Sequence, residues 1–306
     1  MAISSWPRAL VLISTGALTH PAFAAEPADP GPAAGDSSAK EPPGGTPPGP
    51  TRAPSHEPEL DLLTFYKDNF FITGFSMETE AKFQFSAKFD IWPNRGQHAV
   101  YFGFTQKSLW DIYRTSQPFV ENNYAPELFY SFFHVPGRYD PKPGCGFFFE
   151  RVGLLHESTG EKGENSRGWN RLYGESRFAC YDPAHRYAAF TLQLWAPPFG
   201  IKDNPDIASY AGYGELSLSL GSDRGRGWLG NWELAVHARK GTKSWSVGSL
   251  ELDGRWRPRY GDFWRFTPYL YAQFFTGYGE TLLSYDRAST AFRIGIGFTD
   301  LSTRSE

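Results

Sequence analysis

Hydrophobic and polar residues alternate along most of the chain, in short runs separated by turn-forming residues. Within 148–158, apolar side chains such as Val152 and Leu154 take even positions, and charged ones such as Arg151 take odd positions. The segment that follows Asn170 repeats this pattern. Because side chains on a β-strand point alternately to opposite faces, a period of two predicts strands. The sequence therefore predicts an all-β protein, either a soluble sandwich or a membrane barrel.

The chemistry of the two faces separates these alternatives. One face is largely apolar and the other carries charges of both signs, with Glu150 as the exception. A barrel that contacts lipid outside and holds paired charges inside fits this arrangement. The chain is also rich in aromatic residues, and Trp110, Trp169 and Trp195 are expected to form an interfacial girdle. No segment after the N-terminus has the roughly 18 uncharged apolar residues of a membrane-spanning helix, which excludes a helical membrane protein.

Twelve strands are predicted, at 70–75, 81–91, 97–110, 126–135, 146–156, 169–180, 186–195, 213–220, 228–238, 246–255, 264–275 and 291–298. An even number suits a single-chain bacterial barrel and places both termini in the periplasm. The sequence therefore predicts a twelve-stranded antiparallel transmembrane β-barrel of the outer membrane, spanning 61–301. In this topology 111–125, 157–168 and 196–212 are external loops.

The two ends of the chain have a different composition. Arg8, a short apolar run and a small-x-small end at 22–24 describe a cleavable secretory signal over 1–24. Residues 25–60 are dominated by Pro, Gly, Ala and Ser, and predict a disordered linker. Residues 302–306 form a short C-terminal tail. The formal net charge of -3, with mixed signs, gives no indication of a nucleic-acid partner.

Three side chains carry candidate chemistry. His156 and Ser158 share one face of a strand, and Asn170 enters the returning strand, where it can lie opposite His156. A serine hydroxyl becomes a nucleophile when a base takes its proton, and a third group fixes the tautomer of that base. The alternative is a surface histidine and serine in a loop, or an interfacial polar cluster without chemistry. In the predicted barrel these residues lie at the outer rim, on the lipid-directed face.

Several separated motifs resemble the outer-membrane phospholipase A family of Gram-negative bacteria over roughly 62–301. The motifs are Tyr66-x-Asp68-Asn69-Phe70, Phe83-Gln84-Phe85-Ser86, Tyr101-x-x-x-Thr105-Gln106-Lys107-Ser108-x-Trp110, Pro118-Phe119 with Glu121-x-Asn123-Tyr124-x-Pro126, the segment from His156 to Tyr173, Asp203-Asn204-Pro205-Asp206-Ile207, and Gly277-Tyr278-Gly279-Glu280-x-Leu282. The resemblance implies a calcium-dependent serine hydrolase active as a homodimer. Its expected substrates are the sn-1 and sn-2 acyl esters of phospholipids, together with lysophospholipids. Ser158 is then the expected nucleophile, His156 the general base and acid, and Asn170 the residue that holds the imidazole.

The same resemblance implies a calcium site. The matching positions are Ser166 for a hydroxyl ligand, Glu161 for a backbone carbonyl, Ser116 for a ligand from the partner subunit, and Asp203 for a further calcium position. Hydroxyl, carbonyl and carboxylate oxygens suit Ca²⁺, which is a hard cation. The chain departs from the family at two positions, with Glu157 where Asp is usual and Gly163 where an acidic residue is common.

Gln106 matches a membrane-embedded glutamine that the family places at the dimer interface. In that position it can hydrogen-bond its symmetry mate across a two-fold axis. The residues alone leave open an inward-facing, structural glutamine.

Cys145 and Cys180 are the only cysteines of the chain. In a hairpin that pairs His156 with Asn170, both cysteines reach the periplasmic end, which predicts a disulfide. Their strand parity differs, and Pro143-Gly144 is the expected break in the alternation.

Two functions from different classes remain. The first is lipolysis at the outer leaflet, regulated by dimerisation through Ser116. The second is a non-catalytic barrel, either a narrow porin or a structural outer-membrane protein. A wide pore is disfavoured because twelve strands with large charged inward side chains leave a filled lumen.

Overall fold

The computed structural model describes residues 63–92, 98–116, 118–132, 143–222, 230–257 and 268–298. The predicted signal, the linker and the C-terminal tail lie outside these ranges. No helix within them is long and apolar enough to cross a membrane.

Thirteen strands and one short helix make up the described secondary structure, besides a single 3-10 turn at Gly163–Asn165. The strands are β1 Leu63–Phe65, β2 Phe70–Ser76, β3 Ala81–Trp92, β4 His98–Trp110, β5 Phe119–Phe132, β6 Gly144–Ser158, β7 Gly168–Tyr181, β8 Arg186–Trp195, β9 Gly214–Ser222, β10 Asn231–Lys240, β11 Gly248–Arg257, β12 Tyr269–Tyr278 and β13 Ala288–Gly297, and the helix is α1 Ile207–Ala211.

These strands close into an antiparallel barrel. Each strand from β2 to β13 pairs with its neighbour in the chain, and β13 pairs with β2, which closes the sheet. The three-residue β1 extends β2 along the same edge of β3, because β1 pairs with the far end of β3 and β2 with its near end. The described chain thus forms the predicted twelve-stranded barrel.

Alternation along each strand divides lipid-facing from interior side chains. On β13, Phe292, Ile294 and Ile296 are exposed, whereas Arg293 between them is 0% exposed. Lipid favours the apolar set outside, and the charged set must find partners inside. The Arg255 guanidinium, for example, contacts the carboxylates of Asp68, Glu233 and Asp253. These interior groups surround a cavity of about 590 Å³.

One end of the barrel is covered by the β12–β13 loop and α1. The buried Glu121 carboxylate on β5 accepts hydrogen bonds from the backbone N–H groups of Leu282 at 2.6 Å and Leu283 at 2.8 Å. The Tyr285 hydroxyl donates to Asp206, which precedes α1. Burial raises the pKa of the Tyr285 phenol, and the Asp206 carboxylate raises it further, so the phenol stays protonated as a donor. These contacts tie two long loops across the mouth.

The prediction was wrong about where the fourth predicted strand, which is β5, begins. The strand begins at Phe119 rather than 126, which shortens the expected loop 111–125 to 111–118. Its first half is polar and leads to Pro126, a residue that donates no backbone hydrogen bond. Pairing with β4 is continuous through this region, while the ladder to β6 is interrupted between Tyr124 and Glu127. Pairing with β4 therefore forms a strand where the local sequence disfavours one.

A bulge on β6 explains the parity of the cysteines, whereas Glu150 lies on the His156 side of the bulge and keeps the outward parity of Val152. The register with β7 shifts between Phe147 and Phe149, so alternation changes phase there and not at the expected Pro143-Gly144. Below the bulge Cys145 lies directly opposite Cys180, and the two are disulfide-bonded.

The expected aromatic girdle was wrong for two of its three tryptophans. Trp169 is 2% exposed and Trp195 is 6% exposed, and their rings pack edge to face inside the barrel. Both occupy odd positions, the parity of the interior side chains on β7 and β8. Trp110 is half-buried and stacks on Phe119 with ring centroids 5.0 Å apart.

Candidate active site

The β6–β7 hairpin brings the three candidate residues together. His156 lies directly opposite Asn170, and Ser158 lies opposite Gly168 at the last pair before the loop. On the same face, the next pair toward the middle of the barrel is Leu154 and Leu172, both exposed on the outer surface. Because alternate residues share a face, the candidate side chains also point outward, above an apolar surface.

The three side chains form a continuous hydrogen-bonded chain. His156 Nε2 lies 3.0 Å from Ser158 Oγ, and His156 Nδ1 lies 2.9 Å from Asn170 Oδ1. All three residues are half-buried. A hydroxyl, an imidazole and an orienting acceptor in this order are the groups that nucleophilic ester cleavage requires.

A second set of side chains lies beneath the site, on the interior face of the same two strands. The Glu157 carboxylate accepts hydrogen bonds from Trp169 Nε1 at 3.0 Å and from Arg171 Nη2 at 2.7 Å. The Arg171 guanidinium also covers the Trp169 ring at 3.9 Å from its centroid. Glu157 thus joins β6 to β7 from inside, directly between the two residues that carry the outward hydroxyl and imidazole.

The β8–β9 loop braces the hairpin at three points. Asn170 forms an isolated antiparallel bridge with Phe199. The Ser166 hydroxyl donates to Asp203 Oδ2 at 2.6 Å, and the Gly168 N–H donates to Asn204 Oδ1 at 2.9 Å. The sequence pointed to Asp203 but missed Phe199 and Asn204. Phe199 acts through its main chain, which carries no signal in residue type, and Asn204 stands in an ordinary turn motif.

Two of the four expected calcium residues are in contact. Ser166 and Asp203 share a hydrogen bond, and exposed Glu161 lies on the same loop as Ser166. Ser116 is exposed on the separate β4–β5 loop, and no described hydrogen bond or ion pair joins it to the other three. Within the described ranges, no group of three or more His, Cys, Asp or Glu residues is arranged to hold a metal. The Ser166 hydroxyl and the Glu161 backbone carbonyl are not among these four kinds of side chain.

Gln106 belongs to the outward face of β4. It lies between Phe85 on β3 and Tyr124 on β5, and shares the parity of exposed Phe102. Its Nε2 donates to Ser108 Oγ at 3.3 Å, and the Ser108 hydroxyl donates to Asn122 Oδ1 at 2.7 Å. A row of polar groups therefore crosses the lipid-facing surface of β4 and β5.

The profile of the Phospholipase A1 family matches residues 53–299, which include every residue of the candidate site. This chain belongs to that family. Phospholipase A1 from Escherichia coli strain K12 is 32% identical over 233 residues, covering 72% of this chain and 70% of the relative. Phospholipase A1 from Salmonella typhimurium is 31% identical over 231 residues, covering 72% and 70%.

Solved structures agree with this assignment. Outer membrane phospholipase A from Escherichia coli superposes with a TM-score of 0.62 at 26% identity, covering 78% of this chain and 95% of that one. A Salmonella typhi outer membrane phospholipase, solved as a dimer with bound calcium, gives a TM-score of 0.62 at 25% identity, covering 79% and 94%. This phospholipase A1 family member is accordingly a β-barrel of the bacterial outer membrane.

Proposed function

We propose that the protein is a calcium-dependent outer-membrane phospholipase whose catalytic residues are Ser158, His156 and Asn170. The observation that carries the proposal is the hydrogen-bonded chain from Ser158 Oγ through the imidazole to Asn170 Oδ1. Membership of the phospholipase A1 family supports it independently.

The geometry supports an acyl-enzyme route. Ser158 Oγ attacks the ester carbonyl carbon while His156 Nε2 accepts the hydroxyl proton. Collapse of the tetrahedral intermediate breaks the ester bond, and His156 returns that proton to the leaving alcohol oxygen. A water molecule then attacks the acyl carbon and gives a proton to His156. The bond between the acyl carbon and Ser158 Oγ breaks, the fatty acid is released, and His156 returns the proton to Ser158 Oγ. The Ser158 backbone N–H is the proposed donor to the oxyanion within the protein.

The outward direction of the site suits a lipid substrate. Leu154 and Leu172, directly below His156 and Asn170, provide an apolar surface along which an acyl chain can lie. The site is at the end of the barrel opposite β1 and the end of β13. With both termini in the periplasm, this end faces the outer leaflet. The proposed substrates are sn-1 and sn-2 esters of phospholipids, and lysophospholipids.

Ser166 and Asp203 are the side chains proposed to hold calcium, with the Glu161 carbonyl. A hydroxyl and a carboxylate 2.6 Å apart, both on exposed loops beside the catalytic hairpin, form a donor set that fits a hard cation. When bound there, calcium supplies a Lewis acid that polarises the ester carbonyl.

Dimerisation is the proposed means of regulation. Gln106 and Asn122 present amide groups on a surface that otherwise contacts lipid, and a second copy of the chain can satisfy such groups by hydrogen bonding. Ser116, exposed on the β4–β5 loop, is the ligand proposed to complete the calcium site of the partner subunit.

The alternative is a non-catalytic narrow porin, and the observation in its favour is the interior cavity of about 590 Å³. The loop clamp at Glu121 and the charged groups inside the barrel oppose it, because they occupy the path that an ion would take.

The decisive comparison is fatty-acid release from phospholipid–detergent mixed micelles, with calcium and with a chelator. Ser158→Ala should abolish release. Ser217→Ala is the matched control, because Ser217 Oγ also contacts a histidine, His237, at 2.7 Å, but inside the barrel. Equal release by Ser158→Ala and the parent would remove Ser158 from its role, and conductance without hydrolysis would favour the porin.

A further inference from the structure

The side-chain amide of Asn170 makes contacts at both ends, and these contacts fix its orientation. Asn170 Nδ2 lies 3.0 Å from the carbonyl oxygen of Phe199. A carbonyl oxygen can only accept a hydrogen bond, so the NH₂ group must face it and the amide oxygen must face His156. That oxygen is likewise only an acceptor, so the contact at 2.9 Å requires the proton of the imidazole on Nδ1. Nε2 is then left free to accept the Ser158 proton.

The Phe199 carbonyl is itself held in place by main-chain bonds. The Asn170 N–H donates to Phe199 O at 2.9 Å, and the Phe199 N–H donates to Asn170 O at 3.2 Å. The same carbonyl oxygen therefore accepts from both the backbone and the side chain of Asn170. The Phe199 ring is 52% exposed, so the contribution comes from the main chain and not from the phenyl group.

Gly200 makes this approach possible. Its φ of +68° lies in the left-handed region, and a Cβ at this position would lie 2.3 Å from Asn170 Nδ2. No real Cβ contact is that short, so any side chain at 200 must displace the amide or the loop. The contact between Asn170 and Phe199 therefore requires glycine at position 200, although Gly200 is not itself a catalytic residue.

We propose that Phe199 and Gly200 form a positioning element that orients the Asn170 amide and thereby selects the Nδ1-protonated tautomer of His156. The proposal rests on the proposed function, in which His156 is the base. It also gives a reason for an amide at 170. A carboxylate would place an oxygen without a proton against the Phe199 carbonyl, where the structure requires a donor.

Gly200→Ala tests the element, with Gly279→Ala as the matched control. Gly279 has a φ of +72° in the β12–β13 loop and open space around its Cβ position, so alanine there brings similar backbone strain without a clash. We expect Gly200→Ala to lower kcat by about 10- to 100-fold and to change KM by less than about 2-fold, because orientation and not substrate binding is lost. Gly279→Ala should retain the parental kcat and KM.

The tautomer can be read directly from ¹⁵N-histidine NMR of the calcium-loaded protein in micelles, with the His156 signals assigned by their loss in His156→Gln. The parent should show a protonated Nδ1 and a bare Nε2, and Gly200→Ala should show a mixture of tautomers. A parent with the proton on Nε2 would overturn the proposal whatever the activities are.

Asn170→Asp keeps the proposal open to refutation if Gly200→Ala does not fold. Although Asp is nearly the same size, we expect kcat to fall by at least about 10-fold, because the donor to Phe199 is lost. Parental kcat in Asn170→Asp, or in folded Gly200→Ala, would contradict the positioning role. Ser158→Ala distinguishes failure of the positioning element from failure of the proposed function. If Ser158→Ala is inactive while Gly200→Ala and Asn170→Asp have parental kcat, only the positioning element is wrong. If Ser158→Ala is active, the proposed function is wrong.

Discussion

The Ser166 hydroxyl donates a 2.6 Å hydrogen bond to the Asp203 carboxylate, joining the loop that follows β6 to the loop that follows β8. The two residues are far apart in sequence, and they meet because the β8–β9 loop folds over the β6–β7 hairpin. Gly163, in the first of these loops, has no side-chain oxygen. Asp203 thus brings a carboxylate to this side of the hairpin from a different segment.

Calcium affinity should follow the charge of these two loops. Asp203→Asn should weaken calcium binding by about tenfold, because carboxylate charge sets the affinity of oxygen sites. Gly163→Asp should strengthen it, since Gly163 has no atoms within 4 Å of its Cβ position, and Asp tolerates its φ of +68° better than most residues. Gly163→Asn controls for shape without charge. Isothermal titration of calcium into the micellar protein measures the affinity of all three variants. Unchanged affinity in both Asp203→Asn and Gly163→Asp would place the ion elsewhere.

Glu157 should stabilise the hairpin that carries the site. Glu157→Ala leaves the buried Arg171 guanidinium without its carboxylate and Trp169 Nε1 without its acceptor, and should cost about 3–5 kcal/mol of unfolding free energy. Glu157→Gln keeps an acceptor and should cost less. Exposed Glu164→Ala, in the adjoining loop, should change stability by less than about 0.5 kcal/mol. Denaturant unfolding in detergent checks the order, which equal losses in Glu157→Ala and Glu164→Ala would refute.

The Cys145–Cys180 disulfide should contribute to stability and not to catalysis. It closes a loop with a sequence separation of 35 residues, and replacing both cysteines by serine should cost roughly 2–4 kcal/mol and lower Tm. The bond lies at the far end of β6 from His156, roughly 35 Å along the strand. We therefore expect unchanged kcat at a temperature where the variant is folded. An unchanged Tm together with lost activity would reverse this assignment.

The covered mouth predicts that the parent protein carries no steady ion current in planar bilayers. Glu121 holds the β12–β13 loop across the opening, and charged side chains line the cavity beneath it. Steady single-channel conductance from protein that hydrolyses no phospholipid would support the porin and count against the enzyme.

Alternation, together with the chemistry of the two strand faces, was enough to predict the barrel, the outward direction of His156 and Ser158, and the register that sets His156 against Asn170. These follow from a period of two and from the length of one hairpin loop, both of which are local properties. The early start of β5 was missed because Pro126 and its polar neighbours disfavour a strand, while pairing with β4 imposes one. The phase change on β6 was misplaced because a bulge has no fixed residue signature.

The contacts of Phe199 and Gly200 with Asn170 could not be predicted from the sequence, for a different reason. The Phe199 carbonyl is a main-chain group, so no residue type marks it, and Gly200 resembles any other turn glycine. Trp169 and Trp195 were assigned to the lipid interface from residue type, although their odd parity already placed them with Arg171 inside. Parity was the better guide wherever the two signals disagreed.

Covalent labelling tests the central claim most directly. A fluorophosphonate with a long alkyl chain reacts with an activated serine, and peptide mass spectrometry then identifies the modified residue. We predict calcium-dependent modification of Ser158 in the parent, loss of this adduct in His156→Gln, and no modification of Ser217. Hydrolytically active protein that is modified at another serine, or that leaves Ser158 unmodified, would contradict the account.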